Sequence, residues 1–249
     1  MNMRRHERMG KLKIVIFSFC MLILVISAIF LANTFINVYY LFYNGIYGII
    51  LSTIVPLIIL YKNKEKLSTI GFQRLHLKQW MVLIIFVSFS VCGQIMPLIA
   101  AGTAIQWNLL PICFFPLVMT TFFEEFLFRG FIQTRIEKQF GFIIAILVSG
   151  LMFSLYHIGY PGFRSINDLL LLFAVGSGFA AAFKLSGNNL YVSYFVNLPN
   201  ALLTYILKSG QFPVLDINST IGAVITIILI VIILIKYGAT AYNRPARST

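Results

Sequence analysis

Long runs of apolar residues, separated by short polar gaps, cover most of the 249-residue chain. Most runs hold about 20 residues, the length that a helix needs to cross the hydrocarbon core of a bilayer. Apolar and polar positions do not alternate, so the runs do not indicate the strands of a membrane barrel. The pattern predicts an all-α membrane protein, a polytopic bundle of about eight transmembrane helices. The expected spans lie near residues 14–33, 38–61, 80–102, 106–133, 141–158, 167–184, 189–207 and 219–236.

The composition agrees with a lipid environment for the whole chain. Apolar residues make up 59% and charged residues only 10%, whereas soluble domains carry about 25% charged residues. No linker, low-complexity stretch or internal repeat divides the sequence, so we expect residues 1–249 to form a single integral membrane domain. The first apolar run is too long for the core of a signal peptide and is expected to remain as the first helix.

The net charge of +12 arises in the short polar gaps rather than in a basic domain. This distribution is typical of cytoplasmic loops that face an anionic leaflet, and it argues against nucleic acid as a partner. With both termini in the cytoplasm, only Arg164 and Lys208 of the nineteen Lys and Arg residues fall outside. The charge bias therefore predicts a multi-pass protein of the cell membrane with both termini cytoplasmic.

Three ionisable side chains lie in the fourth apolar run, in the segment TTFFEEFLFRGFIQT. An ionisable side chain inside a span costs about 2.5–3.5 kcal/mol on insertion scales, so each one requires a physical reason. Glu125 and Arg129 are four residues apart and share a helix face, which allows an ion pair. Glu124 points about 100° away from its neighbour, towards a different partner. The fold is therefore expected to enclose a buried polar site.

A histidine in the fifth run lies at the same expected depth as Glu124. Counting about 1.5 Å per residue, Glu124 and His157 each lie about 24 Å from the hairpin turn near residues 139–141. A carboxylate and an imidazole at one level on neighbouring helices can share a water molecule, an arrangement suited to general-base and general-acid catalysis. The alternative is structural: a Glu–Arg pair that locks two helices, and a histidine that makes an interhelical hydrogen bond.

The spacing of these residues resembles that of the CAAX-protease and bacteriocin-processing family of intramembrane proteins, also called Abi or CPBP. The first family motif, Glu-Glu-x-x-x-Arg, matches Glu124, Glu125 and Arg129. The second motif, Phe-x-x-x-His, matches Phe153 and His157.

The resemblance continues through the glycine-rich segment FAVGSGFAAAFKLSGNNL, so the family-like core spans about residues 115–203. It departs at the third motif, His-x-x-x-Asn, where the histidine position holds Asn197 and the asparagine position holds Ala201. An asparagine can still donate a hydrogen bond to an oxyanion, although it cannot titrate as histidine does. Pro199 is expected to break this helix and to turn Asn197 or Asn200 towards the site.

The resemblance implies an intramembrane endopeptidase that acts on a membrane-associated peptide or protein. In that family scheme Glu124 activates a water molecule, and His157 orients the water or protonates the leaving amine. Glu125 and Arg129 hold the helix in place, and Asn197 completes the set of candidate catalytic residues.

Two other functions are compatible with the same residues. The chain could be a catalytically weakened or inactive family member that binds a peptide, as a bacteriocin-immunity or regulatory membrane protein. A transporter is the more distant alternative, because the other spans carry no charge in their interiors. A divalent metal such as zinc is possible, but the motifs supply fewer than the three protein ligands that a catalytic zinc usually takes. No other cofactor is expected.

Overall fold

The computed structural model describes residues 2–102, 105–207 and 217–242, and these residues fold into helices joined by short turns without any strand. The predicted all-α class is confirmed. Numbered in chain order, the helices are α1 (Asn2–Thr34), α2 (Leu41–Lys62), α3 (Leu77–Ala100), α4 (Trp107–Phe140), α5 (Phe142–Tyr156), α6 (Ile166–Leu185), α7 (Leu190–Leu207) and α8 (Ile217–Tyr242).

Seven of these helices are long and apolar enough to cross a membrane, and α3 contributes the shorter apolar stretch Leu77–Gly93. Their outward faces are rich in large exposed apolar side chains, as expected where lipid rather than water surrounds the bundle. The chain is therefore a multi-pass helical membrane protein, and the described residues provide seven or eight spans.

The fourth helix is longer than the hydropathy pattern predicts, because α4 continues to Phe140 rather than ending at residue 133. The guanidinium of Arg135 lies 3.7 Å from the centroid of the Phe131 ring, and its Nη2 lies 3.1 Å from Oε2 of Glu65. These two partners stabilise the charge of Arg135 within the helix. The α4 helix therefore continues past Arg135 and ends only at Gly141, where φ is +86°.

Two helices contain wide π-helical segments, Leu41–Ile54 in α2 and Glu125–Gln133 in α4. In such turns each N–H binds a carbonyl five residues earlier, and they occur frequently at functional sites. All the residues of the segment in α4 are buried. The two helices approach closely at Gly48, where a Cβ atom would lie 2.1 Å from the ring of Phe123.

Polar contacts join four helices at one end of the bundle. Glu65, after α2, pairs with Arg135 of α4 and accepts a hydrogen bond at its carbonyl from the Tyr237 hydroxyl of α8 (2.6 Å). Glu137 of α4 pairs with Lys184 of α6. We call this the basic end, because Lys62, Lys64, Lys66, Arg74, Lys138 and Lys236 also lie in the segments that meet there.

The opposite end carries much less charge among the described residues. There Thr220 Oγ1 of α8 donates a hydrogen bond to the carbonyl of Ile112 in α4 (3.1 Å). Arg164, between α5 and α6, is exposed at this end and donates to the Ile158 carbonyl (3.2 Å). Lys208, the other basic residue expected at this end, lies outside the described residues.

The start of α7 is fixed by a close backbone contact with the turn that precedes α3. The Leu190 N–H donates to the carbonyl of Gly71 (2.8 Å), and the Asn189 side chain binds carbonyls in the same turn. Gly71 has φ of +99°, and a Cβ atom there would lie 2.7 Å from the Asn188 carbonyl oxygen. Only glycine fits this position, which sets the depth at which α7 presents Asn197.

Candidate active site

The two glutamates of the first motif lie at the junction between the α-helical and π-helical parts of α4. Glu124 is 6% exposed, and Glu125 and Arg129 are fully buried. The Arg129 Nε lies 3.6 Å from Oε2 of Glu125, so the i, i+4 spacing brings the expected pair together. Arg129 is thus a core residue of the bundle.

Three further contacts hold the buried guanidinium of Arg129. Its Nη2 donates to the carbonyl of Gly176 in α6 (3.0 Å), and its Cζ lies 4.6 Å from the ring centroid of Phe153 and 5.7 Å from that of Phe179. Cation–π contacts of this kind stabilise a desolvated guanidinium. Gly176 permits the approach, because a Cβ atom there would lie 2.7 Å from the Phe153 ring. The glycine-rich segment is therefore packed against both motifs.

The phenylalanine and histidine of the second motif are connected through the backbone. His157 Nδ1 lies 2.7 Å from the carbonyl oxygen of Phe153, and the ring centroids are 4.9 Å apart. Since the carbonyl can only accept, Nδ1 carries the proton and donates. Phe153 thus packs on the arginine of the first motif and orients the histidine of the second.

Asn197 brings the two glutamates together. Its Nδ2 lies 2.8 Å from Oε2 of Glu124 and 2.9 Å from Oε1 of Glu125. A side-chain amide has two N–H groups, and here each donates to one carboxylate. In the described structure the two glutamates therefore occupy both hydrogens of the Asn197 amide.

The predicted break at Pro199 is wrong, because α7 is continuous from Leu190 to Leu207. Proline is tolerated in membrane helices where neighbouring helices restore the lost interactions. Here α7 packs against α3 and α4, and Ser90 of α3 donates to Oδ1 of Asn200 (3.0 Å). Asn197 and Asn200 nevertheless line the same cavity.

Tyr156 is a residue of the site that the motifs do not indicate. Its hydroxyl donates a hydrogen bond to Oε1 of Glu124, and its ring centroid lies 4.1 Å from that of His157. The side chain is 1% exposed and also packs against the rings of Tyr47 and Phe128. The sequence offers one signal for it, a tyrosine directly before the motif histidine. Hydropathy does not distinguish this tyrosine from its aromatic neighbours.

Glu124 and His157 line one cavity of about 150 Å³ near the centre of the bundle. One water molecule requires about 10–15 Å³ measured in this way, so the cavity can hold several. Hydroxyl groups contribute to the wall: that of Tyr43 lies 2.8 Å from the Tyr160 hydroxyl and 2.9 Å from Thr120 Oγ1. A carboxylate, an imidazole and room for water therefore occur together, whereas Glu125 and Arg129 lie behind the cavity wall.

The cavity residues do not form a metal site of the usual kind. A catalytic zinc generally takes three protein ligands, and the described residues contain no group of three or more His, Cys, Asp or Glu side chains that could hold a metal ion. Of the described residues that line the cavity, only Glu124 and His157 carry a side chain of these four types.

Comparison with known proteins points to the same family as the motifs. Residues 106–202 match the family model described as type II CAAX prenyl endopeptidase Rce1-like. No curated protein and no solved structure matches the chain. The matched segment contains both motifs and Asn197, and it confirms the resemblance to the CAAX-protease and bacteriocin-processing group. At the level of the family, residues 106–202 are thus similar to the CAAX-type intramembrane proteases.

Proposed function

We propose that the protein is an intramembrane endopeptidase that hydrolyses a peptide bond with a water molecule activated by Glu124. The observation that carries this proposal is the cavity that Glu124 and His157 share at the centre of the bundle. The family match supports the same class of reaction. The substrate is a membrane-associated peptide or protein, because the cavity lies within the span of α4.

Glu124 acts as the general base in this mechanism. Tyr156 and Asn197 each donate to one of its oxygens, which leaves further lone pairs for a water molecule. The carboxylate takes a proton from this water as the water oxygen attacks the carbonyl carbon of the substrate. The proton then passes to the amide nitrogen as the C–N bond breaks, giving a new carboxyl group and a new amine.

His157 orients the attacking water. Because Nδ1 donates to the Phe153 carbonyl, Nε2 is the nitrogen left for the cavity, and in the neutral ring it accepts a hydrogen bond. A water molecule between Glu124 and His157 donates one hydrogen to each and keeps a lone pair for the carbonyl carbon. Hydroxyls of the cavity wall, including that of Tyr160, supply donors for the developing oxyanion.

Glu125, Arg129 and Asn197 position the base. Asn197 donates to both glutamates, and Glu125 and Arg129 form the buried pair that faces away from the cavity. This arrangement keeps the Glu124 carboxylate in one rotamer without a histidine in α7. The altered third motif is therefore compatible with hydrolysis.

The orientation in the membrane is part of the proposal. The basic end faces the cytoplasm of a cell membrane, with both chain termini on that side, since basic loops are retained on the cytoplasmic face. Support comes from the described segments at that end, which contain Lys64, Arg74, Lys138 and Lys184.

His157→Ala is expected to lower the rate of hydrolysis by about 10–100-fold, because the water loses a partner that orients it. The full chain is reconstituted into liposomes with a mixture of peptides that partition into membranes, one of them a farnesylated Cys-a-a-X peptide. Mass spectrometry then follows complementary fragments. His76→Ala is the matched control, because His76 is exposed outside the spans. Wild-type protein that leaves every peptide intact would overturn the proposal and favour a peptide-binding role.

Tyr156→Phe is expected to lower kcat by about tenfold with little change in KM, because only the hydrogen bond to Glu124 is lost. The control is Tyr47→Phe. The Tyr47 hydroxyl is buried without a hydrogen-bond partner in the described structure, and its ring packs against that of Tyr156. Removal of this hydroxyl should leave the rate unchanged. Equal effects of the two substitutions would contradict the positioning role of Tyr156.

A further inference from the structure

Among the described residues, the cavity lining extends from Glu124 towards one end of the bundle. Its lining residues come from the start of α2, the first half of α4, the end of α5 and the turn after it, the first half of α6 and the second half of α7. All of these segments lie between Glu124 and the opposite end of the bundle, where Arg164 is exposed. The residues farthest from Glu124 include Tyr39, Phe163 and Tyr205.

The segment of α4 on the other side of Glu124 is tightly packed. Phe126, Phe128, Arg129 and Phe131 have no exposed surface, and Gln133 is 1% exposed. This layer separates Glu124 from the basic end by about two helical turns, or roughly 10 Å. Among the described residues, the part of α4 between the site and the basic end therefore leaves no room for a substrate.

The charge pattern assigns these two directions to the two sides of the membrane. If the basic end is cytoplasmic, the direction in which the cavity extends is extracytoplasmic. Glu124 lies near the middle of the Trp107–Phe140 span. The cavity thus extends from the middle of the membrane through its outer half.

The lining also restricts what can enter. The described lining consists of aromatic, aliphatic and neutral polar side chains, and within it only Glu124 and His157 carry an acidic or basic group other than a tyrosine hydroxyl. No described cation lines the cavity, so an acidic side chain would lose its hydration without gaining an ion pair. An extended peptide segment with uncharged side chains does not incur this desolvation cost.

We propose that the site takes its substrate from the extracytoplasmic side, as an uncharged peptide segment of a chain already translocated across the membrane. That a peptide entering this cavity is hydrolysed, and that the basic end is cytoplasmic, both rest on the proposed function. The access route itself is a property of the bundle and can be tested without hydrolysis. This access route admits peptides presented at the outer surface and excludes peptides that reach the membrane from the cytoplasm.

Cysteine labelling in intact cells tests the access route. In a variant with Cys20, Cys92 and Cys113 replaced by alanine, single cysteines are introduced as Ala201→Cys in the cavity, Arg164→Cys at the opposite end and Lys64→Cys at the basic end. A small, charged methanethiosulfonate that does not cross membranes should label the first two in intact cells. It should label Lys64→Cys only after permeabilisation. Labelling of Ala201→Cys only after permeabilisation, or not at all, would overturn the proposal.

Competition by peptides tests the chemical class. A short neutral peptide of Ala, Ser and Leu, added outside at about twice its Kd, should slow labelling of Ala201→Cys about threefold by mass action. The same peptide with Asp substitutions should not protect, and labelling of Arg164→Cys should not respond to either peptide. Equal protection by both peptides would contradict selection for uncharged segments. Because labelling does not require catalysis, a protein that labels as expected yet cleaves nothing would refute the proposed function and leave the access route intact.

Discussion

Glu124→Gln is expected to lower the rate of peptide hydrolysis by about 10²–10⁴-fold while the protein remains folded. The glutamine amide cannot take a proton from water, so the central step is lost. The fold should tolerate the change, because the glutamine oxygen can still accept from Asn197 while its amide group donates to the Tyr156 hydroxyl. Initial rates on the reconstituted protein and unfolding in detergent micelles measure the two effects.

The informative comparison is between Glu124→Gln and the same substitution at the adjacent Glu125. Glu124 lines the cavity, whereas Glu125 does not, although both bind the same Asn197 nitrogen. If a folded Glu124→Gln variant retains the wild-type rate, Glu124 is not the base. If its stability falls as far as that of Glu125→Gln, the division between a reactive and a structural glutamate is wrong.

Glu125→Gln is expected to lower the free energy of unfolding by about 3–5 kcal/mol, because it leaves the Arg129 charge buried without its carboxylate. Arg129 is fully buried, its Nε lies 3.6 Å from Oε2 of Glu125, and its Nε and Nη1 make no hydrogen bond in the described structure. The hydrogen bond to the Gly176 carbonyl and the packing on Phe153 remain, but neither neutralises the charge. Denaturation in mixed micelles provides the measurement.

Glu137→Gln is the matched control for this prediction. Glu137 also pairs with a basic residue of its neighbourhood, Lys184, but the two side chains are 19% and 32% exposed. Solvent screens such a pair, so its removal should cost less than about 1 kcal/mol. Similar losses for the two variants would mean that burial does not determine the strength of the Glu125–Arg129 interaction.

Much of the bundle could be predicted from the sequence, because a bilayer requires long apolar helices and leaves few other solutions. Hydropathy identified the helices, and the i, i+4 spacing identified Glu125 and Arg129 as neighbours. The distance of Glu124 and His157 from the Gly141 turn predicted a common depth, and both line one cavity. These inferences depend only on helix geometry and on the cost of a charge in lipid.

The parts that could not be predicted depend on contacts between helices. Nothing in the hydropathy indicates that α4 widens into a π segment at Glu125, or that Asn197 binds two carboxylates. The continuity of α7 through Pro199 likewise depends on its packing against α3 and α4. The role of Tyr156 could not be predicted either, because only its hydrogen bond to Glu124 distinguishes it from the neighbouring aromatic residues.

A single turnover in water enriched in heavy oxygen tests the central claim most directly. The enzyme, equilibrated in ordinary water and present in excess over a peptide that it cleaves, is transferred to the enriched water, and products are analysed by mass spectrometry. Direct attack by the water held at Glu124 predicts one heavy oxygen atom in the new carboxyl group of the product. The peptide that contains Glu124 should then remain unlabelled. A product without heavy oxygen, together with label in the Glu124 carboxylate, would show a covalent intermediate and contradict the mechanism.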